Sequence, residues 1–248
     1  MDSIRLNKFI AHHAGLSRRE ADTAIEQGRV KINAAIAKLG SQVQPTDIVT
    51  LDGAKLTARA NYTYILLNKP VGYVCSRRAQ GNAPTIYSLL PSEYHALKPV
   101  GRLDRDSSGL LLLTDDGDFA HQMTHPKFTK TKVYHVALDH VLAPLHMQMI
   151  SDHGITLDDG VSRFVVTRRE MASGRWQVED GKKQLPIANS YIPNATHAYE
   201  VRMSEGRNRQ IRRTFASLGY TVTALHRISF GNFSLTDEKP GEFHLVKL

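Results

Sequence analysis

Apolar and polar positions repeat with two different periods along the chain. Ile4, Leu6, Phe9 and Ile10 form a rough helical stripe that stops at Ala14-Gly15. Ser17-Arg-Arg-Glu20 has capping-box spacing and predicts a second helix, with Ala21, Ala24 and Ile25 as its apolar face and Gly28 as its stop. Val30 and Ile32 alternate with Arg29 and Lys31, as on a half-exposed strand, and Asp47 to Leu51 reads as another before Asp52-Gly53. Periodicity fades from about Leu56 to Asn61, which places a linker there. A small domain over 1–58 and a larger one over 59–248 are expected.

The larger segment is dominated by strand-like runs. Tyr64 to Leu67 and Gly72 to Cys75 come first, followed by the apolar block Leu110 to Leu113 between Gly109 and the turn-like Asp115-Asp116-Gly117. Lys132 to Leu138, Phe164 to Thr167 and Tyr199 to Met203 also read as strands. Pro144 to Ile150 reads as a short helix. Ile211, Phe215 and Leu218 lie at i, i+4 and i+7, the face of another helix that Gly219 stops. Residues 171–197, with Trp176, Pro186 and Pro193, are weakly patterned and read as an insertion or hairpin. Many strands and few helices predict an α+β fold with a mainly antiparallel sheet.

Composition narrows the partners. The 248 residues include 32 Lys and Arg against 24 Asp and Glu, a net charge of +8. Such a balance favours polyanions, nucleic acid first. No apolar run approaches the roughly 18 residues of a membrane span, and the N-terminus has no secretory pattern. Cys75 is the single cysteine, so no internal disulfide can form, which fits a reducing cytoplasm. A cytoplasmic monomer without membrane attachment is expected.

The charges gather in islands. Arg5, Lys8, Arg18, Arg19, Arg29 and Lys31 decorate the small front domain and suit phosphate contacts. Arg209, Arg212 and Arg213 sit at i, i+3 and i+4, where mutual repulsion asks for anions. Asp104 stands between Arg102 and Arg105, just before a strand that must enter the core. A charge so placed is usually paired or functional. Asp106 suits a local cap or an RNA contact, and Lys69 suits a phosphate. His121 and His125 have helical ligand spacing but no third ligand nearby, so no metal site is expected. No glycine-rich phosphate cradle is present.

Two resemblances organise these islands. RLNKFIAHHAGLSRREADTAIEQGRVKIN, residues 5 to 33, resembles the RNA-binding fold of the ribosomal small-subunit protein numbered four. GRLDRDSSGLLLLTDDG (101–117), TKVYHVAL (131–138), EGRNRQIRRTFASLGYTVTALHRISFG (205–231) and NKPVGYVCS (68–76) resemble motifs of the ribosomal RNA pseudouridine synthases of the RsuA-like, small-subunit type, which have large-subunit relatives. The second resemblance implies a cofactor-independent isomerisation of uridine in ribosomal RNA, or in a ribosomal assembly intermediate, with the small subunit slightly favoured.

It also implies roles. Asp104 is the catalytic aspartate, either attacking the nucleoside or shielding positive charge on the sugar. Arg212 is its guanidinium partner, Tyr134 stacks on the base and helps remove the proton from its carbon, and Leu225 walls the pocket. Arg102 is expected at phosphate or ribose beside the pocket, and Arg105, Arg209 and Arg213 on RNA, together with Arg5, Lys8, Arg18, Arg19 and Lys31 of the front domain. A binding protein without catalysis and a metal-dependent nuclease are the competing classes. The first would not need Asp104, Tyr134 and Arg212 together, and the second would need clustered carboxylates.

Overall fold

A computed structural model of the chain describes residues 3–57, 61–78, 80–169 and 197–248. Most of the weakly patterned stretch therefore lies outside the described residues. The chain divides into two compact units: Met1–Thr63 with Asp115–Gly117, and Tyr64–Thr114 with Asp118–Leu248.

The first unit holds helices α1 (Leu6–Ala14) and α2 (Arg18–Glu26). Its strands are β1 (Ile4–Arg5), β2 (Val30–Ile32), β3 (Ala35–Ile36), β4 (Gln42–Val43), β5 (Val49–Leu51) and β6 (Ala54–Lys55). Gly15, at φ 72°, ends α1 in the left-handed conformation that a side chain would strain. The capping box of α2 forms as its spacing predicts. The Glu20 amide donates to Ser17 Oγ at 3.2 Å, and the Ser17 amide donates to Glu20 Oε2 at 2.6 Å. Asn7 donates to Asp22 at 2.9 Å, tying the two helices together. Leu6, Ile10, Ala21, Ala24, Ile25, Val30 and Val49 close over a single small core.

The second unit is built on a sheet ordered β13-β14-β10-β15-β9-β7-β17. These strands are β7 (Tyr64–Lys69), β9 (Ser108–Thr114), β10 (Lys132–Leu138), β13 (Val165–Arg168), β14 (Ala198–Met203), β15 (Val222–Phe230) and β17 (Phe243–Leu245). The edge pieces β8 (Lys98–Pro99) and β16 (Phe233–Ser234) join β9 and β15, and β11 (Ile155–Leu157) with β12 (Gly160–Ser162) makes a separate hairpin. Its helices are α3 (Gly117–Thr124, which begins in the first unit), α4 (Pro144–Asp152) and α5 (Gln210–Ser217). The expected strand over Gly72–Cys75 shrinks to one bridge between Val74 and Thr85, with the Val74 amide on Pro84 O and the Ile86 amide on Val74 O.

Both faces of the sheet are covered. Leu111 and Leu113 join the cluster that contains Ile65, Val136 and Phe215, whereas Leu110 and Leu112 join the one that contains Leu66, Val100 and Phe230. That is why the block Leu110–Leu113 is continuous rather than alternating. Each buried leucine contributes about 1.5–3 kcal/mol.

Among the described residues, every pairing in this sheet is antiparallel except one. β9 and β15 run parallel through Ser108 opposite His226 and Gly109 opposite Arg227. The approach is close enough that a Cβ at Gly109 would stand 2.2 Å from the Arg227 carbonyl oxygen, and Gly109 also has φ +105°. Only glycine fits there. This crossing joins the segment that carries Asp104 to the one that carries Leu225 and Arg227.

Candidate active site

The site grows from the loop between Gly101 and Ser107. Lys69, at the end of β7, is fully buried, and its ammonium holds the loop from beneath. Nζ donates to the carbonyls of Ser107 at 2.6 Å, Asp104 at 3.1 Å and Pro70 at 3.1 Å. Burial pushes this ammonium down to about 8. The expectation of a phosphate at Lys69 is thus corrected: its three donors are spent on backbone. The Gly72 amide donates to Arg105 O at 2.7 Å, and the Ser107 amide to Asp104 O at 3.1 Å, which fixes the turn further.

Asp104, a third exposed, faces a cavity of about 570 Å³. Arg102, Tyr134, Arg209, Leu225 and Arg227 share its lining. Tyr134 sits on β10 opposite Arg227 of β15, beside a register shift between Val133 and Tyr134. Leu225 lies on β15, and both side chains are 8% exposed. The volume falls within the range of small-ligand sites. Three sequence motifs far apart in the chain therefore meet in one pocket.

The arginine island behaves differently from its helical spacing. Arg209 is the N-cap of α5, with φ 46°, and not part of the helix body. Its guanidinium grips both oxygens of Asp106 at 3.0 Å and lies 3.8 Å from Asp104 Oδ2. Arg212 was expected to pair with Asp104, but Arg209 stands in that position. Arg212 instead donates to the carbonyls of Val222 and Asp106, both at 2.8 Å, and its Nε lies 3.3 Å from the Asp106 carboxylate. Arg213 points elsewhere, to Asp159 at 2.6 Å.

Asp106 is therefore an internal clasp. Burial raises its carboxyl, but the Arg209 hydrogen bonds and the charges of Arg212 and Arg209 outweigh that and hold it below the usual carboxylate range. Arg207 clamps the hairpin, donating to Asp159 O at 2.9 Å, Gly160 O at 3.0 Å and Val161 O at 2.8 Å. Arg105 is exposed beside the loop. On the first unit Arg5, Arg18, Arg19 and Lys31 are exposed and Lys8 is half-buried, while Arg29 is taken by Asp52 at 2.5 Å. No cluster of three or more His, Cys, Asp or Glu suited to a metal occurs among the described residues.

Sequence reasoning missed Arg227 and Lys132. Both line the cavity, and both rest against the Phe230 ring, at 4.9 and 5.2 Å from its centroid. The signal was the run of cation and aromatic at two-residue and three-residue steps along strands leading into the pocket.

Comparison with known proteins agrees with this geometry. Residues 4–49 match the S4 domain, and residues 63–217 match the RNA pseudouridylate synthase family. The chain is 37% identical to "Ribosomal small subunit pseudouridine synthase A" of Haemophilus influenzae, over 97% of this chain and 94% of that protein. It is 33% identical to "Ribosomal large subunit pseudouridine synthase B" of Bacillus subtilis, over 96% and 90%. A crystal structure described as that of a pseudouridylate synthase superposes with a TM-score of 0.63 at 32% identity, covering 99% of this chain and 96% of that one. With its S4 domain in front and all the motifs of one pocket behind it, the chain belongs to the RNA pseudouridylate synthase family.

Proposed function

We propose that the protein converts a specific uridine of ribosomal RNA to pseudouridine without a cofactor, with Asp104 as the reacting carboxylate. Small-subunit RNA is the first target to examine, because the relative named for that subunit is the more similar of the two, 37% against 33%. The observation that carries the reading is the convergence of Asp104, Tyr134 and Leu225 on one cavity.

The chemistry is an exchange of bonds with no net loss of atoms. The bond from ribose C1′ to base N1 breaks, the base turns, and a bond from C1′ to C5 forms. The proton on C5 then leaves, and N1 ends protonated. An ionised carboxylate at Asp104 serves as attacking group or as the counter-charge to a cationic sugar. Tyr134 flanks the base and stands where the C5 proton must depart. The base has to leave its stack to reach this depth. Arg209 keeps positive charge beside Asp104, and Arg212 holds Asp106 and the strand end, so the loop stays in place while the base turns.

The test is a transcript of the small-subunit RNA treated with the wild-type protein and with Asp104→Asn, followed by pseudouridine mapping. Conversion should fall at least about 10³-fold, with the RNA dissociation constant changed less than about threefold. Wild-type conversion should persist in excess chelator. Undiminished conversion by the Asn variant would remove Asp104 from the reaction.

A further inference from the structure

Arg227 is a buried cation of the pocket with an unmet donor. It is 2% exposed, the largest fully buried side chain among the described residues. Its Nε donates to Leu110 O at 2.8 Å, whereas Nη2 is buried with no hydrogen-bond partner among the described residues. No carboxylate pairs with it among the described residues. Glu205, which also lines the cavity, accepts from Gln210 and lies 3.5 Å from Arg207. Asp104 lies beside Arg209. The Phe230 ring offsets part of the charge, but a ring face does not replace an acceptor in the plane of the guanidinium. An unmet buried donor costs about 1–3 kcal/mol, more when charged. Arg227 lines the cavity, and a lining cation with an unmet donor is complementary to an acceptor that arrives with the ligand.

Resting on the proposed function, we propose that Arg227 is a specificity-determining residue that donates to a ring carbonyl of the flipped uracil. Burial supports the base rather than a phosphate as its partner: Asp104, which must meet the sugar, is a third exposed, whereas Arg227 is almost wholly buried. The symmetry of uracil supports it too. The turn that replaces N1 by C5 runs about the line through N3 and C6, and it exchanges the two carbonyls. A donor that faces one carbonyl before the turn faces the other after it. Arg227 therefore keeps an acceptor through both halves of the reaction. Cytosine has one carbonyl and one amine, so the same turn sets a donor against the guanidinium at one stage. Discrimination of this kind, a buried donor left without its acceptor, is the strong kind.

The test uses the full-length protein and small probes, read by calorimetry or ligand-observed NMR. Uridine 5′-monophosphate, its 2-thio analogue and its 4-thio analogue are titrated into the wild-type protein and into Arg227→Met. Sulfur is a poor acceptor, so one analogue should bind the wild-type protein at least about fivefold more weakly than the parent. In Arg227→Met the three should bind alike. Equal binding of all three to the wild-type protein overturns the proposal, and so does a thio penalty that survives in the variant. If the variant does not fold, the wild-type series still decides. The failure of the underlying reading looks different: no pseudouridine forms in ribosomal RNA, whatever the thio analogues do.

Discussion

Two buried titratable side chains set conditions on the site. Lys69 has its three donors on carbonyls, and that arrangement aims the Asp104 loop. His226 is 3% exposed, accepts or donates at Nδ1 with Ser108 Oγ at 2.9 Å, and is pushed down by burial to about 4. Its ordinary value is 6.5. Above that value the ring is neutral in the folded and the unfolded chain, and folding carries no proton cost. As pH falls from 6.5 towards 4 the unfolded chain takes the proton first, so stability declines. The loss amounts to about 3 kcal/mol by pH 4. Chemical denaturation at pH 7 and pH 4 should show it, and His226→Gln should lose about that much less over the same interval. At this scale the sequence marked Asp104, Tyr134 and Leu225, and all three line one cavity. It did not expose which arginine meets which aspartate. Arg209 and Arg212 differ by less than one helical turn, and the left-handed N-cap at Arg209 decides the matter.

Elements are held at a few close crossings. The parallel contact of β9 with β15 relies on Gly109. Gly109→Ala would set a methyl group 2.2 Å from a backbone oxygen in a left-handed conformation. It should cost more than about 3 kcal/mol, a fall of roughly 6–12 °C in Tm by calorimetry. Activity should fall with stability, because the same crossing aligns the Asp104 loop with Arg227. The strands themselves were readable: the leucine block, the strand at Lys132–Leu138 and the stop at Gly219 all correspond to observed elements. The mainly antiparallel sheet was readable too, but the one parallel contact among the described residues was not. A two-residue parallel contact leaves no periodicity of its own, and its one trace is a glycine that could equally open a turn.

At the scale of the molecule, positive charge is shared between two tasks. Arg207, Arg209, Arg212 and Arg213 are committed to internal partners, so the net basic surface resides more with residues such as Arg5, Arg18, Arg19, Lys31, Arg102 and Arg105. Replacing Arg5, Arg18 and Arg19 together by alanine should weaken RNA binding. It should also make the slope of log affinity against log salt shallower by about 2–3. Filter binding across a salt series measures both, and an unchanged slope would take phosphate contact away from the S4 unit. Composition announced a polyanion partner, yet it counted every arginine alike. Only coordinates separate those that hold the fold from those that face solvent.

The lone parallel crossing also bears on how the protein comes into being. Asp104 is synthesised early, but its pocket is completed by β15, which ends at Phe230. Over a hundred residues must be made before Gly109 can find Arg227, so this contact closes late and slowly. A nascent chain still on the ribosome, or one cut short before β15, would carry Asp104 in an unfinished cleft. On the proposed function, the newborn protein could hold RNA through its front unit but could not convert it until its last strands are in place.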